Sequence, residues 1–352
     1  MAAENQGQSD RSRSQGRGFR FDDLSATWRA ASAAPPLPHW PHANSVRLAT
    51  YNVLNTSTGT GAGDEVLRHS TRYDHIVDRL LPGLDADIIG LQEVTPPLLQ
   101  RLQDAEWVRR GYVLSMVIGG PDCPQMFEAH ATRGYAIILL SRIAPIESEH
   151  LAESLSGRYY PVMTLELKSG TRVAVAAVHL KSFPWLFEGT RREELGAVTA
   201  ELERGERQLR GGIVLGDHNF HREAENASIP DRWGEVPAVA DLGATWSWSA
   251  NAMIAHYLPL RNLYNGFGTG YFGWHTEMRL DRVLLHGDVF AQESADACLF
   301  GIEPIHERAK GCKSLPPTGP DLKGWHRSIP WEEYLFPSDH FGILVDMPLA
   351  RL

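Results

Sequence analysis

Apolar runs of strand length that end, one after another, in acidic, amide or imidazole side chains constrain this 352-residue chain more than any other feature. VRLATYN ends in Asn52, DIIGLQE in Glu93, VAVAAVH in His179, and GIVLGDHN in Asp217 and Asn219. RLD sets Asp281 inside a further run, and PSDH sets Asp339 and His340 just ahead of the last one. Short apolar runs of this kind read as buried strands. Taken singly, the polar ends are bland: an Asn at a strand end is usually a turn residue, and Asp–His before a strand is usually loop. Repeated at successive ends of strands that share one core, they predict a single polar rim.

The remaining pattern supplies the fold class. TRYDHIVDRLLP (71–82) reads as a helix stopped by Pro82, and PPLLQRLQDAEWVRR (96–110) as a helix with prolines near its start, where they are tolerated. GYAIILLSR, YPVMTLEL and TRVAVAAVHL read as strands separated by turns, and residues 191–210 as an amphipathic helix with Leu195, Val198 and Leu202 on one face. Few strict strand–helix–strand alternations occur. The order therefore favours an α/β, four-layered sandwich, two packed mixed β-sheets flanked by helices, over a doubly wound parallel sheet. Residues 248–275 and 303–337, rich in Gly, Pro, Trp and His, read as long rim loops.

Residues 1–44 read as a disordered or loosely ordered tail and 45–352 as the domain. RSRSQGRGFR is basic and low in complexity, APPLPHWPH is Pro-rich, and FDDLSATWRAA (21–31) between them reads as one short helix. The polar start MAAENQGQSD is not expected to be a secretory signal, and no run reaches the length of a membrane span. Cys123, Cys298 and Cys312, odd in number and without motif spacing, argue against a disulfide framework and a zinc site. An intracellular protein of the nucleus or cytoplasm is expected, a monomer with no membrane partner. The net charge of −9 disfavours non-specific coating of nucleic acid but leaves room for a local basic groove.

Chemically the rim set is coherent. Asn52 and Glu93 offer neutral and anionic oxygens suited to one Mg²⁺, which prefers octahedral oxygen and keeps several waters. Asp217 and His340 are titratable groups able to handle a nucleophilic water. Asn219 offers an amide donor to a phosphate, and Asp281 could orient His340 by accepting its other ring proton. A Walker-type phosphate loop and a G-x-S-x-G elbow are both missing from the sequence.

The blocks TYN (50–52), LQEV (91–94), HLKS (179–182), GDHN (216–219), RLDRVLL (279–285) and PSDHFGIL (337–344) together resemble the endonuclease/exonuclease/phosphatase superfamily in order and spacing. Within it the chain is most similar to the 5′-tyrosyl-DNA phosphodiesterases, through LQEV, HLKS, GDHNFHR, ATW (244–246) ahead of RLDR, and FPSDHFG. It departs from them at Tyr51 (a Trp there), Lys181 (a Glu) and His221 (an Arg, with Arg222 one place later here), and the acid after that Arg is missing. The YNVL start is also similar to the deadenylase branch. The resemblance implies Mg²⁺-assisted cleavage of a phosphoester, most simply a 5′-phosphotyrosyl–DNA bond in DNA repair, with Mn²⁺ able to substitute and a nucleic acid or other phosphoester as substrate. Deadenylase, abasic-site endonuclease and small-phosphoester phosphatase remain alternatives. It further implies Glu93, Asn52 and Asp339 at the metal, and Asp217 positioning or deprotonating the water. Asn219, His179 and His340 would hold the phosphate with Asp281 behind His340, while Ser182, Trp246 and Arg222 would line the substrate groove. Trp248, Phe267, Tyr271, Phe272 and Trp274 add aromatic rings to the expected rim, where such rings can stack on unpaired bases.

Overall fold

The structure, a computed structural model, describes residues 13–16, 18–22, 25–31, 44–54, 69–120, 123, 127, 134–152, 157–182, 187–204, 209–247, 250–251, 277–305 and 335–350. In chain order its strands are β1 (Arg13–Gly16), β2 (Phe19–Asp22), β3 (Thr27–Ala30), β4 (Ser45–Asn52), β5 (Ile88–Val94), β6 (Val113–Leu114), β7 (Ala136–Ser141), β8 (Pro145–Ala152), β9 (Tyr159–Glu166), β10 (Arg172–His179), β11 (Gly211–Asp217), β12 (Trp233–Glu235), β13 (Trp246–Ser247), β14 (Glu277–Met278), β15 (Asp281–Gly287), β16 (Asp296–Phe300) and β17 (Gly342–Pro348). One sheet has the order β1-β8-β9-β10-β11-β15-β12 and the other β16-β17-β4-β5-β7-β6-β2-β3, with β13 and β14 as a separate ribbon. Both large sheets are mixed: β10 runs parallel to β11, and β4 parallel to β5, among antiparallel neighbours.

The central strands are buried on both faces, which is why they read as nearly continuous apolar runs rather than alternating ones. Leu48, Ile88, Leu139 and Val345 of one sheet pack in a common core with Val175, Ala177 and Leu215 of the other. Gly90 makes the closest approach possible, since a Cβ there would stand 2.1 Å from Leu215 Cδ1. A second core lies on the outer face of the eight-stranded sheet, where Ile76, Leu81, Leu98, Leu99 and Leu102 cover Ile89, Leu91 and Ile138. The helix Glu188–Leu202 packs Leu195, Val198 and Leu202 on the outer side of the other sheet. The result is the expected four-layered α/β sandwich. Among the described residues no helix is long and apolar enough to cross a membrane.

The differences lie mainly in the N-terminal segment. Instead of a short helix over 21–31, β2 and β3 form a hairpin, turned at Ala26 with a left-handed φ of +50° and closed by Phe21 edge-on to Trp28 at 5.7 Å. Phe19 pairs with Leu114 of β6 and packs half-buried on the outer core. β1 pairs with all four of its residues against β8. The described parts of the expected tail therefore border both large sheets. Edge pairing draws on backbone N–H and C=O groups, so it needs little apolar content and leaves little trace in composition. The helix expected over 71–82 begins at His69, passes through a π-turn at Ile76–Leu80 and retains Pro82 inside its last turn. The one expected over 96–110 breaks at Ala105 into Pro96–Asp104 and Glu106–Gly111. Nearly all of the expected rim loops, with Trp248, Phe267, Tyr271, Phe272 and Trp274, lie outside the described residues.

Candidate active site

Register brings the strand ends together. In the parallel pair β10–β11, His179 stands opposite Asp217, and in the antiparallel pair β11–β15, Asp217 stands opposite Asp281. This crowding needs Gly216: its φ is +142°, and a Cβ there would lie 2.0 Å from Val178 O. From the other sheet, Asn52 ends β4 opposite Gln92. Glu93 then emerges from a bulge, where the register of β5 against β7 shifts between Leu91 and Val94 and its own φ is +62°. A left-handed conformation costs a non-glycine residue about 1–2 kcal/mol, and bulges of this sort re-aim one side chain out of a ladder.

The side chains converge on the Asp217 carboxylate. Asn52 Nδ2 donates to Asp217 Oδ2 at 3.0 Å and stands 3.3 Å from Glu93 Oε1. His179 Nε2 lies 3.5 Å from Asp217 Oδ2 and 3.9 Å from Glu93 Oε1, and His340 Nε2 lies 3.9 Å from Asp217 Oδ2. The Asn219 N–H donates to Asp217 Oδ1 at 2.8 Å, and Asn219 Nδ2 to Leu180 O at 3.0 Å, holding that amide beside the cluster. His340 Nδ1 pairs with Asp281 Oδ2 at 2.8 Å, as expected from sequence. Arg279 and Arg282, the neighbouring cations that could have paired with Asp281, both turn to Glu235 instead.

Burial and mutual charge set the protonation states. Burial pushes the Asp217 carboxyl up to about 7; the His340 charge opposes this and the Asp281 charge adds to it. Burial alone would depress His340, but Asp281, Asp339 and Asp217 outweigh it and raise the imidazole to about 10. Asp217 and His340 are thus both held above their ordinary values, which sets a proton donor opposite a proton acceptor, the pairing that proton transfer to and from water requires. Burial depresses His218, between Asp217 and Asn219, to about 3, so it stays neutral.

Several supporting residues, some of them outside every sequence block, hold these groups in place. Tyr135 stacks on the His179 ring at 5.7 Å, and the buried Arg158 donates to His179 O. Thr245 Oγ1 accepts from Leu280 N at 3.0 Å and Asp281 N at 3.1 Å, while its carbonyl accepts from Phe341 N at 2.7 Å. Asn251 Nδ2 donates to Ser338 O at 2.8 Å, Ser338 Oγ to Asn52 O at 2.6 Å, and Arg72 to Pro337 O at 2.9 Å. Thr245 lies within the ATW block and Ser338 in PSDH, but Arg72, Arg158 and Tyr135 sit in no block.

The residues expected to meet substrate are placed differently from one another. Ser182 is half-buried just beyond β10, where Glu194 accepts the Lys181 N–H at 2.7 Å and Arg191 donates to Lys181 O at 3.2 Å. Arg191 also forms a fully buried ion pair with Glu225 at 2.6 Å, and Glu225 accepts the His221 N–H at 2.9 Å. One helix thus fixes both neighbouring rim segments. Arg222 is exposed. Trp246 is buried against Leu280 and beside Met278, which puts it in the packing under the rim.

The donor set fits a hard cation that keeps water. Among the described residues no three His, Cys, Asp or Glu side chains are grouped to cage a metal unaided. Glu93 brings a carboxylate beside the Asn52 amide, which turns its nitrogen to Glu93 and its oxygen to the Leu54 N–H; a cation held there would meet that amide with its oxygen and nitrogen exchanged. Asp339 is buried nearby, with Oδ2 lacking any hydrogen-bond partner, an expensive state for a carboxylate oxygen unless a cation meets it. Few protein oxygens plus water is the habit of Mg²⁺ rather than Zn²⁺.

A family model described as Endonuclease/Exonuclease/phosphatase family matches residues 49–340. No curated protein matches the chain by sequence. Among solved structures, truncated TDP2 of Caenorhabditis elegans is similar with a TM-score of 0.55 and 18% identity, covering 86% of this chain and 97% of that one. TDP2 of D. rerio, complexed with single-strand DNA product, gives 0.55 and 17%, covering 86% and 98%. An endonuclease/exonuclease/phosphatase from Bacteroides vulgatus gives 0.53 and 15%, covering 87% and 99%. At these identities the likeness is one of fold.

Proposed function

This chain belongs to the endonuclease/exonuclease/phosphatase family, whose members are hydrolases acting on phosphoesters, and on that premise we propose that it is a Mg²⁺-dependent phosphodiesterase whose substrate is a 5′-phosphotyrosyl–DNA bond. The observation that carries the reading is the meeting of both sheets at Asp217, with Asn52 3.0 Å, His179 3.5 Å and His340 3.9 Å from one carboxylate oxygen. Asp217 accepts the proton of the attacking water as its oxygen bonds to phosphorus. His340, charged and held by Asp281, donates to a phosphoryl oxygen with His179 and Asn219 as charge builds there, the electrostatic effect that usually dominates such reactions. The bond from phosphorus to the leaving oxygen breaks with its electron pair on that oxygen; a phenolate leaves without a strong general acid. Asn52, Glu93 and Asp339 would hold the Mg²⁺, which when bound supplies Lewis-acid polarisation of the phosphate and a template for in-line attack.

The tyrosyl substrate is supported by the HLKS, GDHNFHR and FPSDHFG blocks and by the TDP2 structures among the similar folds. Tyr51, Lys181 and His221 depart from that subfamily's pattern and keep a second reading in play, another phosphoesterase of the same core. A panel of 5′-tyrosyl oligonucleotide, poly(A), abasic duplex and simple phosphomonoesters, each with Mg²⁺, separates the two. Turnover of the tyrosyl substrate well above the others is expected. A preference for any other member replaces the substrate assignment, and inactivity on all of them sinks the reading.

A further inference from the structure

Two chain segments meet at the proposed metal side of the site, Asn52–Leu54 after β4 and Pro337–His340 before β17, and one side chain grips both. Arg72, on the helix His69–His75, is 0% exposed. Its Nε donates to Pro337 O at 2.9 Å, and its Nη2 to Leu54 O at 3.1 Å and to Val53 O. Those carbonyls directly follow Asn52 on one side and stand two residues before Asp339 on the other. Asn52 Oδ1 in turn accepts the Leu54 N–H at 3.1 Å, so the backbone that Arg72 holds also orients the Asn52 amide. A buried guanidinium carries a desolvation penalty of several kcal/mol, a costly way to satisfy carbonyls that a neutral donor could also meet. Burial opposes the charge most; Tyr73, Tyr51, Asp339 and Glu93, in falling order, favour it, the last two being carboxylates of the proposed metal side. The rigid planar fork reaches carbonyls on two segments at once, which an ammonium cannot do.

We propose that Arg72 is a positioning residue that sets the spacing of Asn52 and Asp339, and so the affinity for the divalent cation, without touching substrate. The inference rests on the metal-dependent reading of the site given above. It is tested with the full chain carrying Arg72→Lys, by Mn²⁺ titration followed by electron paramagnetic resonance and by amide hydrogen exchange. Mn²⁺ affinity is expected to fall about tenfold or more, the scale typical of residues that orient metal ligands. Exchange should quicken in peptides spanning 50–54 and 336–341 and stay unchanged in β9–β11. Unaltered exchange in those two peptides, or a rise spread evenly over the molecule, overturns the tether. Selective quickening with unaltered Mn²⁺ affinity overturns the link to the metal. A wild-type protein that binds no Mn²⁺ removes the metal reading, and with it the proposal, whatever the exchange pattern shows. Where the Lys variant does not fold, Arg72→Ala supplied with millimolar guanidinium replaces it. Recovery of Mn²⁺ affinity with guanidinium and not with ammonium supports the role, and equal response to both refutes it.

Discussion

Replacing Asp281 by Asn isolates one charge at the core of the site. The carboxylate is fully buried, accepts from His340 Nδ1 at 2.8 Å through Oδ2, and has no hydrogen-bond partner for Oδ1, so most of its compensation comes from the imidazolium. An amide keeps the shape and one acceptor but removes the charge. A hydrogen bond to a charged group contributes roughly 1.5–3 kcal/mol, and each 1.36 kcal/mol of barrier is tenfold in rate. Turnover is therefore expected to fall about ten- to a hundredfold while KM changes little. Asp281 is the main influence raising His340 against burial, and the Asp281 charge also raises Asp217, so both limbs of the pH–rate profile should move to lower pH in the variant. Stability gives an independent sign. Because His340 is raised from 6.5 to about 10, its contribution is complete below pH 6.5 and lost as pH rises through about 10. The difference in unfolding midpoint between wild type and variant should be widest in acid and close toward pH 10. The assay is steady-state hydrolysis of a 5′-tyrosyl oligonucleotide at saturating Mg²⁺ across pH, with urea unfolding alongside. An unchanged rate and profile would refute the pairing, and a lower rate with unmoved limbs would reduce Asp281 to a packing residue.

Glu93→Gly should abolish turnover yet unfold at the same or higher denaturant than wild type, because glycine removes about 1 kcal/mol of left-handed strain at φ +62°; retained activity in Mg²⁺ would contradict the metal role. EDTA should silence the wild type, with Mg²⁺ or Mn²⁺ but not Ca²⁺ restoring it, as followed by product release; activity in excess EDTA would contradict this. Gly216→Ala places its Cβ 2.0 Å from Val178 O and should lower stability by more than about 2 kcal/mol, seen as a fall in Tm. Deleting residues 1–31 should leave turnover of a short substrate intact in the folded fraction but lower Tm and promote aggregation, since it bares strand edges of both sheets; an unaltered Tm would show those strands to be dispensable.

The strand ends were legible because two constraints coincide there. Apolar runs such as VAVAAVH and GIVLGDHN announce central strands, and a polar group at their end has one place to go, the rim. The partner of His340 was readable in part: a carboxylate inside RLDRVLL must find a counter-charge, and the family resemblance favoured His340 over the neighbouring Arg279 and Arg282. Arg72 and Arg158 were not readable, because their roles depend on which carbonyls the fold brings to them, Pro337 O and His179 O among them, and no local pattern encodes that. The bulge at Glu93 is invisible for a similar reason: LQEV reads as unbroken strand, and its register slips only against β7. β1–β3 were missed because edge pairing is written in the backbone, while Trp246, read as a groove residue, is buried by a ribbon whose second strand comes some thirty residues later.

The pairing of β17 with β4 has a consequence for how the protein comes into being. β17 inserts between β16 and β4, and Ser338 reaches Asn52 across 286 residues of chain. Asn52 and Glu93 leave the ribosome early, but His340 and the strand that seats it follow 288 and 247 residues after them. Any chain interrupted before that point has an open slot beside β4 and an incomplete cluster around Asp217. On the proposed reading, synthesis itself is a safety catch: a chain truncated before β17 lacks the imidazole that faces Asp217 and is expected to be inactive.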